Sequence, residues 1–237
     1  MTSLQLPYFY ESELSPDHLQ FTLSEASSRH CVQVLRMQSA EQLQITNGKG
    51  LLATARITIA HKKHCQVEII HTKVEQPSSN QVTIAVAPTK NINRIEWALE
   101  KLTEVGVHKI VLMETQRTER SVVKLDRLNQ ILISAMLQSR QLYLPSLSGL
   151  VKLSALLEQA KDYTHKWIAH CLDEGSKDQL AKALDDQRHI VLIGPEGDFT
   201  PEEIQTALTD GYQPTTLGQN RLRTETAAVV AGVLLTI

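Results

Sequence analysis

The stretch GPEGD, Gly194 to Asp198, joins the apolar run HIVLI to the helix start Thr200-Pro201-Glu202-Glu203. Gly194 and Gly197 let the backbone turn sharply and approach something bulky, while Pro195 stiffens the turn. A buried strand, such a loop and then a capped helix put the loop on the carboxyl edge of a sheet, where α/β folds bind ligands. A plain tight connection would use the same residues. The second glycine loop, TLGQNRLRTETAA from Thr216, again leads from a strand to a capped helix, and two such loops on adjacent strands make a cleft. In that second loop Arg221 and Arg223 are placed to offset developing negative charge or to grip a phosphate. Glu225, two residues on, has the chemistry of a base or orienter, although a carboxylate in the first turn of a helix also simply complements the helix dipole.

These residues need a frame. Thr200 supplies an N-cap, Pro201 the first helical position and Glu203 the capping-box carboxylate, so one helix start is fixed. VTIAVAP, KIVLM, KWIAHC, HIVLI and PTTLG alternate with helical stretches, the signature of a mostly parallel sheet covered by helices. One helix is legible residue by residue. Ile92, Ile95, Leu99 and Leu102 recur on one face, behind an Asn cap and ahead of Gly106. From Ala227 to Ile237 almost every residue is apolar, so the last helix has no face for water and needs a cover. It is too short to span a bilayer, and a partner subunit is favoured over burial within the domain.

A second rhythm precedes VEQPSSN, Val74 to Asn80, where Pro, Ser and Asn interrupt the chain. LQIT, LLATARITIA and CQVEII alternate as short strands, with NGKG as a hairpin turn between the first two, and one helix is expected around SSRHCVQVLR. Residues 1–74 thus read as a small β-barrel-like binding module, and residues 75–237 as the α/β domain.

Composition narrows the function. In 237 residues with a net charge of −2 and 42% apolar residues, bulk charge does not bind nucleic acid, so any RNA surface is a local patch. Cys31, Cys65 and Cys171 are odd in number and widely spaced, which fits reduced thiols in a cytoplasm and argues against a disulfide framework. The start MTSLQLPYFYESELSP has neither a basic nor an apolar leader region, so a cytoplasmic chain with no membrane segment is expected.

The motifs carry a family resemblance. IGPEGDFTPEEI followed by LGQNRLRTETAA resembles the bacterial RsmE family, and the likeness extends through WALEKLTEVGVHKIVLMETQRTERSVVK and ISAMLQSRQLYLPSL to RHCVQVLRM near the start. It covers essentially the whole chain. The resemblance implies a PUA-like barrel followed by a SPOUT methyltransferase domain, an α/β parallel-sheet fold whose chain is threaded as a trefoil knot and which pairs as a homodimer. It implies transfer of a methyl group from S-adenosylmethionine to N3 of a uridine in 16S ribosomal RNA of the small subunit. The sequence departs from the family pattern at MQSAEQLQI and in a compact segment between Val123 and Ile133, both outside the glycine loops.

By the same resemblance, Leu192, Ile193, Gly194, Pro195, Glu196, Gly197, Leu217, Gly218 and Leu222 cradle the cofactor, largely through backbone groups. Arg223 and Glu225 are the candidate catalytic residues, with Arg221 beside them for RNA. The stretch holding Lys90, Arg94, Arg117, Arg120, Lys124, Arg127 and Arg140 is locally basic in a slightly acidic chain, and phosphates need such groups. Arg29, His30 and Arg36 serve the same purpose in the barrel. For any single one of these residues a solvated surface charge is the plainer reading.

Other motifs fall away. GKGLLA fits a dinucleotide pattern but joins two strands, and is therefore a hairpin. HKKHC has ligand types, yet on a strand His61 and His64 face opposite sides and no second ligand pair follows, so no metal is expected. The expectation is an S-adenosylmethionine-dependent rRNA uridine N3-methyltransferase. Its alternatives are another SPOUT enzyme acting on a 2′-hydroxyl or other RNA atom, and a non-catalytic RNA-binding assembly factor.

Overall fold

The computed structural model describes residues 6–172, 177–180 and 187–237. The chain forms two compact units, Met1–Pro77 with Met136–Leu144, and Ser78–Ala135 with Pro145–Ile237.

In the first unit, strands β1 (Tyr8–Tyr10), β2 (Gln20–Thr22), β3 (Gln42–Thr46), β4 (Leu51–Ile59) and β5 (Gln66–Val74) form one sheet in the order β1-β3-β4-β5-β2. β1 runs parallel to β3 and the other pairs are antiparallel. Alternation does the sorting: Leu43, Ile45, Ala53, Ala55, Ile57 and Val67 point into one core, and register shifts along β4 bend the sheet around it. NGKG is the expected hairpin turn. The Asn47 side chain accepts from the amides of Lys49 and Leu51, and Gly50 takes a φ of +91° where a Cβ would strike the Tyr143 hydroxyl. The helix expected around SSRHCVQVLR is instead a short α1 (Glu25–Arg29), capped by Ser24, that widens into a π-helix over His30–Val34. His61 and His64 are not on a strand, because β4 ends at Ile59 and β5 begins at Gln66. Their rings stack at 5.6 Å in the connection instead of facing opposite sides.

The second unit carries β6 (Gln81–Val86), α2 (Ile92–Glu104), β7 (Lys109–Glu114), α3 (Leu125–Gln138) as far as Ala135, β8 (Ser146–Lys152), α4 (Leu153–Gln159), β9 (His165–Ala169), β10 (Asp178–Gln179), β11 (Arg188–Ile193), α5 (Pro201–Thr209), β12 (Gln213–Thr216) and α6 (Thr224–Thr236). Its described strands are all parallel, in the order β10-β12-β9-β11-β6-β7-β8. Both faces are covered, which is why β6 and β11 are buried at every position after their first. Ile190 and Leu192 point to the side of α4 and α5, packing with Leu153, Leu156, Leu157 and Ile204. On the other side α6 lies on β6, β11 and α2.

Two expectations change here. The strands before the two glycine loops, β11 and β12, are not adjacent, because β9 pairs with both and lies between them. And α6 does not lack a covered face within its own domain: Ala228, Ala231, Gly232 and Leu235 are buried there, while Val233 is 36% and Ile237 78% exposed. Gly232 allows α2 a close approach, since a Cβ on it would lie 2.7 Å from Leu102.

Candidate functional site

The site is built from the ends of three parallel strands. β12, β9 and β11 stop on the same edge, and the segments after them enclose a cavity of about 360 Å³. Ala169, His170 and Cys171 come from the end of β9, Ile193 to Glu196 and Asp198 from the loop after β11, and Thr216 to Gly218 with Asn220 to Arg223 from the segment after β12. Thr224 and Ala227 of α6 complete the wall.

The loop after β11 is held tightly. Gly194 makes room for the buried Phe199 ring, from which a Cβ there would sit 3.0 Å. Asp198 adopts a left-handed φ of 63°, which a short polar side chain tolerates when it bonds locally. One of its oxygens accepts from the Phe199 amide at 2.9 Å and the other from the Cys171 amide at 2.8 Å, joining the β11 loop to the end of β9. The expected capping box is present: Thr200 Oγ1 accepts from the Glu203 amide, and Glu203 Oε2 accepts from the Thr200 amide at 2.9 Å. The other oxygen of Glu203 accepts from the Gln116 amide at 2.7 Å, so the same carboxylate fixes the segment after β7.

The second loop differs from expectation at its helix. Arg223, whose side chain has no acceptor for the free amides, occupies the N-cap position of α6 without a side-chain cap bond, and the Thr224 hydroxyl donates to the Gly194 carbonyl at 3.0 Å. Gly218 takes a φ of +137° and a Cβ there would meet nothing within 4 Å, so this backbone stands open.

Of the residues singled out in the sequence, Ile193, Gly194, Pro195, Glu196, Leu217, Gly218, Arg221, Leu222 and Arg223 line the cavity. Leu192 is buried in the core beneath it, and Gly197 lies outside the lining with its carbonyl turned to Arg117. Glu225 does not reach the cavity. It is 7% exposed, its Oε1 is 3.8 Å from Arg94 Nε, and among the described residues its Oε2 has no partner. Arg221 and Arg223 are exposed at the rim. Several of the other arginines are already occupied. Arg117 donates to the carbonyls of Gly197 at 2.7 Å and Phe199 at 3.4 Å, and Arg120 to those of Thr89 at 3.2 Å and Lys90 at 2.6 Å. Arg127 is bidentate to Glu96, and Lys90 pairs with Glu119. In the first unit, Arg29 pairs with Glu25, Arg140 donates to Gln44 and the Leu6 carbonyl, and Arg36 is exposed in a left-handed conformation.

Sequence reasoning missed Ala169, His170, Cys171, Asp198, Thr215, Thr216, Asn220, Thr224 and Ala227. The strand KWIAHC was legible, but nothing in its composition says that it inserts between the strands carrying the glycine loops. Among the described residues there is no group of three or more His, Cys, Asp or Glu able to hold a metal ion, and no helix is long and apolar enough to cross a membrane.

The cavity can accept a ligand of nucleoside size or somewhat larger. Among the described residues it offers backbone polar groups along apolar walls and two cations, Arg221 and Arg223, at the mouth. Comparison with known proteins bears on which ligand. A model of the RNA methyltransferase domain matches residues 75–236, and one of the RNA methyltransferase PUA domain matches residues 23–70. The chain is 34% identical over 170 residues to ribosomal RNA small subunit methyltransferase E of Mesomycoplasma hyopneumoniae, covering 69% of this chain and 73% of that relative. Its structure is similar to that of a probable rRNA-methyltransferase from Porphyromonas gingivalis, with a TM-score of 0.87 and 36% identity over 96% of this chain and 95% of the other. It is also similar to ribosomal RNA small subunit methyltransferase E from Neisseria gonorrhoeae, solved bound to S-adenosyl methionine, with a TM-score of 0.83 and 28% identity over 96% of this chain and 95% of the other.

Proposed function

We propose, because the chain belongs to the RsmE family of RNA methyltransferases, that it is an S-adenosylmethionine-dependent methyltransferase acting on small-subunit ribosomal RNA, and specifically on N3 of a uridine in 16S RNA. The observation that carries the reading is the cavity at the ends of β9, β11 and β12. Its walls suit S-adenosylmethionine in size and chemistry: open backbone at Gly218 and Leu217 for the adenine edge, and apolar side chains for its faces.

When bound, S-adenosylmethionine supplies an electrophilic methyl on a sulfonium. The chain's own groups must then do three things. They hold the methyl in line with the acceptor nitrogen, a matter of loop rigidity, which the Asp198, Thr224 and Arg117 bonds provide. They offset the negative charge that a deprotonated uracil spreads onto its two carbonyl oxygens, which is the part assigned to Arg221 and Arg223 at the rim. And they accept the imide proton. Of the two carboxylates that line the cavity among the described residues, Asp198 is engaged by two amides, whereas Glu196 is exposed and accepts one long bond, from the Lys90 amide at 3.3 Å. Glu196 is therefore assigned the proton, and Glu225 acts at a distance by holding Arg94 against the start of α6.

The barrel of residues 1–74 is the RNA-recognition module of this reading, and the threaded chain and homodimer are parts of it. Within it, the outward side of α6 is the subunit contact, supported by exposed Val233 and Ile237. Labelled methyl transfer from S-adenosylmethionine to small-subunit particles, followed by nucleoside mass spectrometry, tests the function. N3-methyluridine is expected. A methyl group on ribose would remove the N3 assignment, and cofactor binding without transfer to any RNA would remove the catalytic one.

A further inference from the structure

The segment after β7 is fastened on both flanks. The Thr115 amide donates to Thr118 Oγ1 at 2.9 Å, Arg117 reaches one way to the carbonyls of Gly197 and Phe199, and Arg120 reaches the other way to those of Thr89 and Lys90. These bonds make the segment a fixed wall. Beside it lies a second cleft of about 350 Å³, lined by Lys90, Glu119, Arg120, Ser121 and Val122. Val122 is 73% exposed, a large apolar side chain turned to solvent in an otherwise polar cleft. The Lys90 ammonium is held by Glu119 at 3.1 Å with both side chains exposed, a weak pair that a phosphate can displace. The Lys90 amide donates to Glu196, which also lines the cofactor cavity, so this bond joins the two clefts.

We infer that this second cleft receives the target nucleotide of the RNA, with the base against Val122, a neighbouring phosphate on Lys90 and the reacting edge turned toward Glu196. The inference rests on the methyltransferase reading and locates its acceptor. N3 of a paired uridine is a Watson–Crick donor, so the base must leave its pairing before it reacts. An extruded base needs an apolar surface for its face and a cation for its backbone, and the cleft that offers both is one hydrogen bond away from the cofactor cavity. A cleft reserved for a second small molecule would have no need to be tied to the wall of the methyl donor's site.

The test uses the full chain and small-subunit particles whose RNA carries 4-thiouridine at the position that the wild type methylates in unsubstituted particles. Irradiation should crosslink it within residues 118–124. In parallel, Val122→Asp, a change at an exposed position, should lower kcat/KM for the particle by about tenfold while the Kd for S-adenosylmethionine stays within about twofold, and Val122→Ile should restore activity. Crosslinks confined to other segments, or a Val122→Asp variant with unchanged kcat/KM, would overturn the inference while leaving the methyltransferase reading intact. Failure of the wild type to transfer a methyl would instead remove that reading and this inference with it.

Discussion

The hydroxyl of Thr224, the first residue of α6, donates to the carbonyl of Gly194, the first residue of the loop after β11, at 3.0 Å and out of contact with water. One bond thus ties together the two glycine loops, which stand on strands separated by β9. Thr224→Val keeps the shape and removes the donor, leaving a buried carbonyl without a partner. The expected loss is about 1–3 kcal/mol of stability, seen as a lowered denaturation midpoint, with weaker cofactor binding by calorimetry. Thr224→Ser should behave as wild type. Equal cofactor affinity in the valine variant would show that the bond does not shape the cavity.

Ala227 lines the cavity from the first turn of α6, a position better suited to blocking it than Gly197, which lies outside the lining. Ala227→Phe should fill part of the space and abolish measurable S-adenosylmethionine binding in calorimetry, with a cooperative unfolding transition retained. A folded phenylalanine variant with wild-type affinity would place the cofactor elsewhere.

The outward side of α6 gives a separate test of the homodimer. Val233→Glu combined with Ile237→Glu leaves the domain core alone, because both side chains are exposed in the single chain, but puts charge where an apolar contact would have to form. Sedimentation should show dimers for wild type and monomers for the double variant. A double variant that still sediments as a dimer would move the interface away from α6.

His189 provides a pH dependence. It lies on β11 with 0% exposure, stacked beside His165 and Trp167, and among the described residues neither ring nitrogen has a hydrogen-bond partner. Burial, with a smaller contribution from the charge of His165, pushes its pKa down from 6.5 to about 4. The unfolded chain therefore takes up this proton at a higher pH than the folded one. Stability falls as pH drops from about 6.5 to about 4, and this group makes no contribution above that window. His189→Phe should flatten the decline in melting temperature between pH 7 and pH 5, and should cost little at pH 7 because no hydrogen bond is lost. An equally steep decline in the variant would assign the pH dependence to other groups.

The parts of the fold that were legible in sequence are those whose cause is local. The Thr200–Glu203 capping box, the apolar stripe of α2 and the NGKG hairpin each arise from residues within a few positions of one another, and each is present. Less was legible where the cause is distant. The three-residue strands β1 and β2 are too short to alternate, and β8, SLSGLVK, sits at a sheet edge with a glycine inside it, so neither type announced itself. At the site, the backbone residues around the glycine loops were readable because glycine and proline there have local reasons. Strand order was not, and it is strand order that brings Ala169 and Cys171 to the cavity. Charge was the most misleading signal. Arg117 and Arg120 look from composition like phosphate ligands, yet their guanidinium groups are used on backbone carbonyls of neighbouring loops.

Those same bonds close a ring: Arg117 to the β11 loop, Arg120 to Lys90, and the Lys90 amide back to Glu196 of that loop. Neither cleft can be tightened without pulling on the other. A displacement of the β11 loop is therefore passed to Lys90, and a displacement of Lys90 to the loop. Whatever factor an occupant of one cleft applies to binding in the other, binding linkage returns the same factor in the opposite direction.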